Sequence, residues 1–465
     1  MTVITINNLL GVLPWLFICL PLTGYIHPDE FFQSTEVMAS DVFDFKAEKT
    51  WEWTSDHPGR NVVFPAIIAA LPFSILKYIS KCFKMELTST WLVIFPRLFM
   101  GIVLLLVDRL LKNYARRLRL DNAQFSLLIF LFRSSHVTLV FLTKTFSNNV
   151  EALIFIMLLI KLNESREKQH VNFIIGFLTI FGFFIRQSML AFAFYPIAVS
   201  LFNWIFLSGV LDRSKMKQIL ITIVTMVLGG LSAAGICFIL DCLYFWNQIE
   251  SILSAITPLN LIKYNSNVDN MKLHGLHPWY LHLIVNMFLL FGPMYLLLLW
   301  KGIKLLVGSL SLRAFLASLL RPNSSTYFLS ATLVPVFIMS LVPHQEPRYI
   351  LPVIIPLVCF IAKDNGVLQN RKFYFTVFIF NIIGTSWYGF IHQGGILPSI
   401  THLSNNFKSE PNKTTSLIYW KSYKVPGHLF LRNVNDDRLN FIDMAGKDWA
   451  VVKSELEKNS SYDQV

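Results

Sequence analysis

The sequence predicts an all-α polytopic membrane protein built as a bundle of many spanning helices. Apolar residues make up 54% of the 465-residue chain and only 15% of residues are charged, whereas soluble domains are about a quarter charged. Mean hydropathy is +0.53. Many windows also reach the roughly 20 apolar residues that a helix needs to cross a bilayer.

The apolar segments predict about eleven spans, several of them short or bent. Pro96, Pro196, Pro293 and Pro356 lie inside spans, where neighbouring helices can satisfy the freed backbone groups. The predicted spans are 4–26, 89–111, 123–143, 149–162, 171–186, 188–208, 218–246, 277–300, 326–342, 349–362 and 373–390.

The basic residues set the orientation of these spans. Five connecting loops, which begin near Lys112, Lys161, Arg213, Lys301 and Lys363, carry most of the Lys and Arg between spans. Such loops are cytosolic by the positive-inside rule. The net charge of +12 is therefore scattered between spans and forms no single basic face, so we expect no nucleic-acid partner.

Residues 62–80 are apolar enough to span, but counting them would move every basic loop to the opposite side. Pro65 and Pro72 also interrupt this segment. We therefore predict a re-entrant or interface-lying helix inside one long, non-cytosolic first loop, 27–88. Irregular backbone at membrane depth needs a protein-lined cavity, so this loop is expected to cover one. Residues 1–390 form the predicted membrane domain.

The tail, residues 391–465, falls on the same side as the first loop and forms a small polar segment. Ser416–Tyr423 and Trp449–Val452 are possible short strands in it. This topology places the glycosylation sequon at Asn412 on the non-cytosolic side and the sequon at Asn323 in the cytosol.

An acidic motif, His27-Pro28-Asp29-Glu30, follows the first span directly. Pro28 suits the first position of a short helix, which places Asp29 and Glu30 in its first turn. Ionised carboxylates beside hydrocarbon are expensive and usually functional, and an Asp beside a cavity can act as a general base. The alternative is that both residues only cap the helix and pair with Arg.

A second polar junction, 343–349, lies between two spans on the same side as the acidic motif. His344, Gln345 and Arg348 together suit a phosphate, because Arg offers a bidentate fork and His a second donor. The alternative is a polar turn in which Glu346 and Arg348 offset each other.

Three further residues end or begin spans on that side. Glu151 could bind substrate hydroxyls, or it could simply pair with Arg133 or Lys144. Arg186 and His392 are weaker candidates for the same site. All are candidate substrate-binding residues, as is His27 of the acidic motif.

Other chemistries find no support in the sequence. The five cysteines form no C-x-x-C pair, so no structural zinc or redox pair is expected. No Walker, G-x-S-x-G, H-E-x-x-H or dinucleotide-binding motif occurs. A lipid-linked donor is therefore the natural source of an activated group.

These segments together resemble the polyprenol-phosphate-dependent mannosyltransferases of the endoplasmic reticulum, glycosyltransferase family 22 with the GT-C type of helical bundle. The family shares an acidic motif in a long first lumenal loop and a late H-Q-E-x-R-(Y/F) junction. The flanking residues resemble the branch that adds the fourth mannose to GPI precursors. They are 31–34, 36–39, 50–53, 60–65, 145–148 and 392–395.

The resemblance implies an inverting transfer of mannose from dolichyl-phosphate mannose to the third mannose of a GPI glycolipid precursor, in an α-1,2 linkage. It implies Asp29 as the base, with Glu30 positioning the acceptor or supporting the base, and His344 and Arg348 holding the phosphate. Of the stretch 185–188, only Arg186 matches the family's pattern. No cofactor, no metal and no obligate protein partner is implied, and the surroundings are membrane lipids.

Two alternatives stay open at this point. A related mannosyltransferase could act on an earlier GPI mannose or on a dolichol-linked N-glycan precursor. A lipid or solute transporter, or a non-catalytic membrane subunit, belongs to a different class. Transporters are often built from internal repeats, and no repeat is visible in this sequence.

Overall fold

A computed structural model describes residues 3–164, 167–207, 212–308, 311–409 and 415–458. The sequon at Asn412 lies outside these ranges. Within them the chain is mostly helical, with a single two-stranded sheet. The predicted all-α polytopic class is confirmed.

Six described helical segments are long and apolar enough to cross a membrane, judged by length and composition: Val63–Phe83, Ser89–Arg117, Met189–Leu207, Arg213–Phe245, Leu281–Val307 and Arg371–Asn405. The shorter apolar helices are Ile6–Cys19, Gln169–Ile185, Ser325–Ser340 and Pro347–Ala362. The other helices include Glu36–Phe43, Trp51–Thr54, Asn122–Ser134, Ser147–Leu162, Thr257–Asn265, Val268–His274, Leu312–Leu319, Asn365–Leu368 and Trp449–Lys458. Every predicted span therefore contains a helix.

The chain forms two compact units that each draw on separate stretches of sequence. The first comprises Met1–Leu16, Trp51–Phe64 and Met100–Gly384. The second comprises Phe17–Thr50, Pro65–Phe99 and Thr385–Val465. The acidic motif and the tail thus belong to one unit, and the junction 343–349 belongs to the other.

The first unit is organised around closely crossing helices. Gln169–Ile185 packs along Arg213–Phe245, and each helix places a glycine at the crossing. A Cβ on Gly176 would overlap the carbonyl oxygen of Met226, and a Cβ on Gly229 would overlap that of Phe173. Small residues let helix backbones approach this closely, as is common between membrane helices.

The segment that begins at Val63 differs from the prediction. It is one continuous helix, Val63–Phe83, so Pro65 and Pro72 do not interrupt it as expected. A widened turn at Ala66–Ala70 lies just before Pro72, and such a turn accommodates the missing N–H of the proline. Its re-entrant placement stays a prediction.

In the second unit the tail contains a small parallel sheet. Thr415–Tyr419 pairs with Leu439–Asp443, with Thr415 opposite Leu439. The predicted strand at Ser416–Tyr423 is therefore confirmed over its first half. The predicted strand at Trp449–Val452 is wrong, because Trp449–Lys458 is a helix, and its Lys-Ser-Glu-Leu-Glu-Lys half is rich in residues that favour helix.

Candidate active site

The acidic motif in the second unit opens a helix. Residues 29–43 are continuously helical, which confirms that Asp29 and Glu30 occupy the first turn. The Asp29 side chain is 24% exposed, and its Oδ2 accepts a hydrogen bond of 2.5 Å from Gln33 Nε2. Asp29 thus keeps a partly accessible carboxylate at the start of this helix.

His27 lies directly beside Asp29. The backbone N–H of Asp29 donates to His27 Nδ1 at 3.1 Å, while His27 Nδ1 and Asp29 Oδ1 are 3.6 Å apart. His27 thus contacts both the backbone and the carboxylate of Asp29.

Glu30 has a different environment from its neighbour. It is fully buried, and its Oε1 accepts hydrogen bonds from Arg97 Nε at 3.0 Å and from Arg97 Nη2 at 2.6 Å. Arg97 is 3% exposed, so this is a buried ion pair. Pairing with Arg, the alternative raised for both carboxylates, therefore describes Glu30.

His392 joins the acidic motif through the backbone. Its Nδ1 lies 3.0 Å from the carbonyl oxygen of Tyr25, and Tyr25 N donates to the His392 carbonyl at 2.9 Å. Gly24 N donates to Gly389 O at 2.7 Å. A Cβ on Gly24 would overlap the Tyr388 carbonyl oxygen, so the close approach of these two segments requires glycine.

Tyr423 completes this group, and sequence analysis missed it. Its ring centroid lies 6.0 Å from that of His27, 5.7 Å from that of His392 and 5.8 Å from that of Tyr25. The Tyr25 hydroxyl donates to the Lys424 carbonyl at 2.9 Å. We call His27, Asp29, Glu30, His392 and Tyr423 the acidic-motif cluster.

In the first unit, Glu346 is the centre of the predicted phosphate junction. His344 Nε2 lies 2.8 Å from Glu346 Oε1, and the Tyr349 hydroxyl donates to the same oxygen at 2.9 Å. Arg348 Nε donates to Glu346 Oε2 at 2.5 Å. The alternative in which Glu346 offsets Arg348 thus describes one of several contacts that this carboxylate makes.

His344 is surrounded by acceptors. Its Nδ1 lies 3.1 Å from the Gly275 carbonyl oxygen, while its Nε2 faces Glu346. Both ring nitrogens can donate at once only in the cation. Burial lowers the pKa of His344, but the hydrogen bond and the charge of Glu346 outweigh it, so the net pKa is raised. This favours a cation at the junction.

The side chain of Gln345 hydrogen-bonds to backbone groups of the protein. Its Oε1 accepts from His282 N at 2.9 Å, and its Nε2 donates to the carbonyls of Ser340 at 3.0 Å and Val342 at 3.2 Å. The side chain is buried. It therefore fixes the shape of the junction.

Glu151 and Arg186 pair with each other. Arg186 Nε lies 3.8 Å from Glu151 Oε2, and Ser188 Oγ donates to Glu151 Oε1 at 2.5 Å. The predicted pairing of Glu151 with Arg133 is wrong, because Arg133 instead donates to Asp108 at 2.9 and 2.8 Å. Glu151 is fully buried and so depends on these partners for its charge.

Two arginines of this site contact the same aromatic ring, that of Tyr349. The guanidinium carbon of Arg186 lies 5.1 Å from the Tyr349 ring centroid and that of Arg348 lies 5.3 Å from it. The positive charges of Arg348 and Arg60 lie close enough to repel that of Arg186. Glu151, Arg186, His344, Glu346, Arg348 and Tyr349 form what we call the basic cluster.

A buried amide lies at the edge of the basic cluster. Asn148 is fully buried, and its side chain is a hydrogen-bond partner of Glu151. It is adjacent in sequence to Ser147, whose hydroxyl accepts from Arg186 Nη1 at 3.0 Å. Two neighbouring guanidinium groups are well suited to hold a phosphate.

The predicted residues therefore gather within two groups, one in each unit. His27, Asp29, Glu30 and His392 lie in the acidic-motif cluster, and Glu151, Arg186, His344 and Arg348 lie in the basic cluster, with Gln345 supporting it. Within the described residues no group of three or more His, Cys, Asp or Glu side chains gathers in a metal-binding arrangement. The expectation that no metal or cofactor is used stays a prediction.

Arg97, Glu346 and Tyr349 were missed as site residues. Arg97 could have been found, because a single charge inside an apolar span usually has a functional or structural partner. Glu346 was considered only as a charge that offsets Arg348. Nothing in the sequence pattern points to Tyr423, which lies more than 390 positions from its partner His27.

Comparison with known proteins identifies the family. The sequence model of the Alg9-like mannosyltransferase family matches residues 9–432. The chain belongs to this family. It is therefore a mannosyltransferase, and the transporter and non-catalytic-subunit hypotheses are set aside. No solved structure matches the chain.

Its relatives align over most of the sequence. The human protein named GPI alpha-1,2-mannosyltransferase 4 is 31% identical over 480 residues, covering 96% of this chain and 79% of the relative. The Drosophila melanogaster protein named GPI mannosyltransferase 4 is 30% identical, covering 89% of this chain and 70% of its own length. The Schizosaccharomyces pombe protein of that name is 28% identical, with coverages of 88% and 73%.

Proposed function

We propose that this Alg9-like mannosyltransferase transfers mannose from dolichyl-phosphate mannose to the third mannose of a GPI precursor, forming an α-1,2 linkage in the lumen of the endoplasmic reticulum. The observation that carries the acceptor assignment is the similarity to relatives named GPI mannosyltransferase 4 across 96% of this chain. An earlier GPI mannose or an N-glycan precursor is not favoured by any relative described above.

The proposed chemistry is a single displacement. The acceptor hydroxyl attacks the anomeric carbon of mannose as the bond from that carbon to the phosphate oxygen breaks, so the β-linked donor gives an α-linked product. Asp29 takes the proton of the attacking hydroxyl. The accessible carboxylate of Asp29, beside a Glu30 already held by Arg97, supports this assignment.

The departing dolichyl phosphate carries its own negative charge and needs no proton. We assign its stabilisation to the basic cluster, where Arg186 and Arg348 flank Tyr349 and His344 is favoured as a cation. Preorganised donors of this kind act where charge develops in the transition state. Neither a metal nor a cofactor has a part in this scheme.

The test is a transfer assay on membranes that contain the full chain. The membranes receive labelled dolichyl-phosphate mannose and a three-mannose GPI lipid, and a four-mannose product is expected from the wild type. Asp29→Asn should lower the rate by at least about 100-fold while the protein still accumulates. Asp41→Asn, which changes an exposed carboxylate on the same helix, should leave the rate unchanged.

Other results would change the proposal. Product formed only on N-glycan precursors or on shorter GPI lipids would replace the acceptor. Full activity of Asp29→Asn would remove Asp29 as the base. Loss of the Asp29→Asn protein itself would assign the residue a structural role.

A further inference from the structure

We propose that residues 423–428 of the tail form one wall of the acceptor site, with Tyr423 contacting the acceptor glycan. The inference rests on the proposed function, because it takes Asp29 as the group that meets the acceptor hydroxyl. It assigns to the tail a direct part in binding a glycolipid, where the sequence predicted only a small polar segment.

A buried hydrogen bond ties this wall to the helix that carries Asp29. Glu36 lies on that helix, and His428 Nδ1 is 2.5 Å from Glu36 Oε2, with both side chains fully buried. The backbone N–H groups of Gly427 and Glu48 also donate to Glu36 Oε1, at 3.1 and 2.9 Å. One carboxylate thus holds the tail and the first loop in a single arrangement.

Tyr423 stands at the other end of the wall, where the surface is open. Its side chain and those of His27 and Asp29 are all partly exposed, in contrast to Glu36 and His428. His27 contacts both Asp29 and the Tyr423 ring. A sugar whose hydroxyl reaches Asp29 would therefore be separated from the Tyr423 ring by about the width of the His27 imidazole. An aromatic face beside a few polar groups is typical of sites for small polar-apolar ligands.

The two parts of the wall have different roles. Tyr423 is a binding residue whose ring contacts the apolar face of a sugar. Its neighbours His27 and His392 provide hydrogen-bonding groups for the sugar hydroxyls. Glu36 and His428 are positioning residues, since they are buried away from any ligand. Substitutions in the two places should therefore change different kinetic constants.

The test measures KM for acceptor and donor separately in the full chain. Tyr423→Ala should raise the acceptor KM by about tenfold and leave the donor KM unchanged, while Tyr423→Phe, which keeps the ring, should behave nearly as the wild type. Trp449→Ala, which removes an exposed aromatic side chain elsewhere in the tail, is the control and should change neither constant.

The positioning pair is tested with Glu36→Gln and His428→Gln. Glu36→Gln keeps one oxygen for the backbone N–H groups of Glu48 and Gly427 but removes the carboxylate oxygen that the backbone and the ring of His428 contact, so kcat should fall several-fold with the donor KM unchanged. An equal acceptor KM for Tyr423→Ala, Trp449→Ala and the wild type would overturn the inference. If the wild type used a different glycolipid acceptor, the proposed function would be wrong. The same comparison of acceptor KM values on that acceptor would still test whether residues 423–428 line the acceptor site.

Discussion

At the scale of single residues, two adjacent carboxylates of one motif have separate fates. The sequence predicted Asp29 and Glu30 in a first helical turn, and the structure confirms this turn. It could not divide their roles, because Arg97 is 67 positions away from Glu30 and this pairing depends on tertiary packing. Only the partners of each carboxylate distinguish a candidate base from a buried ion pair.

The Glu30–Arg97 pair gives a prediction about stability. Glu30→Gln leaves the Arg97 charge buried without its counter-ion, and breaking such a pair costs about 3–5 kcal/mol. The variant should therefore accumulate poorly and unfold at a lower temperature in detergent than Asp29→Asn does. A thermal-unfolding series with fluorescence detection measures this difference.

The double variant Glu30→Gln with Arg97→Gln is the control, because it removes both charges and should recover part of the lost stability. A Glu30→Gln protein that is as stable as the wild type but inactive would contradict the structural role and place Glu30 in the chemistry.

His344 gives a prediction about pH. Its pKa is raised in the folded protein, so the contact between cationic His344 and Glu346 stabilises the fold fully below the ordinary histidine pKa of about 6.5. That contribution is lost as the pH rises through the raised pKa. The difference in melting temperature between the wild type and His344→Gln should therefore be largest in mild acid and shrink above neutral pH.

An exposed histidine provides the comparison for this experiment. His170 lies on the surface of the first unit, and His170→Gln should show a melting temperature close to that of the wild type across the same range. A difference for His344→Gln that grew with rising pH would reverse the sign and reject the cationic pair.

At the scale of elements, local sequence patterns predicted which segments are polar or helical, but not which residues those segments contact. The junction 343–349 was expected to hold polar groups for a phosphate, and three of its residues do converge on Glu346. Gln345 has the same local signature as its neighbours, yet it bonds to backbone 63 positions away. The strand Leu439–Asp443 was missed for the same reason, since its pairing with Thr415–Tyr419 is not a local property.

The crossing of Gln169–Ile185 with Arg213–Phe245 predicts an effect of side-chain size. Gly229→Ala places a methyl group against the Phe173 carbonyl, so the two helices must separate and the protein should unfold at a lower temperature. Gly235→Ala on the same helix meets nothing within 4 Å and should be neutral or slightly stabilising. Equal melting temperatures for the two variants would mean that the crossing is not close-packed.

At the scale of the whole molecule, the positions of the apolar helices followed from hydropathy, because burial in lipid is a property of the segment itself. The segment Val63–Phe83 is the exception. Its helix is long and apolar enough to cross, whereas the distribution of basic residues favours a re-entrant path. Length and composition therefore do not decide which side of the membrane holds the acidic motif.

Engineered glycosylation sites on both sides of that segment decide it. Glu48→Asn creates a sequon with Thr50, and Glu86→Asn creates one with Thr88; both glutamates are exposed. A re-entrant helix leaves both positions in the lumen, so each variant should gain one glycan that an endoglycosidase removes, while the native sequon at Asn323 stays unmodified. A helix that crosses would allow modification at only one of the two positions. If Glu86→Asn alone were modified, Asp29 would lie in the cytosol, out of reach of a lumenal donor, and both the base and the acceptor wall would have to be assigned anew.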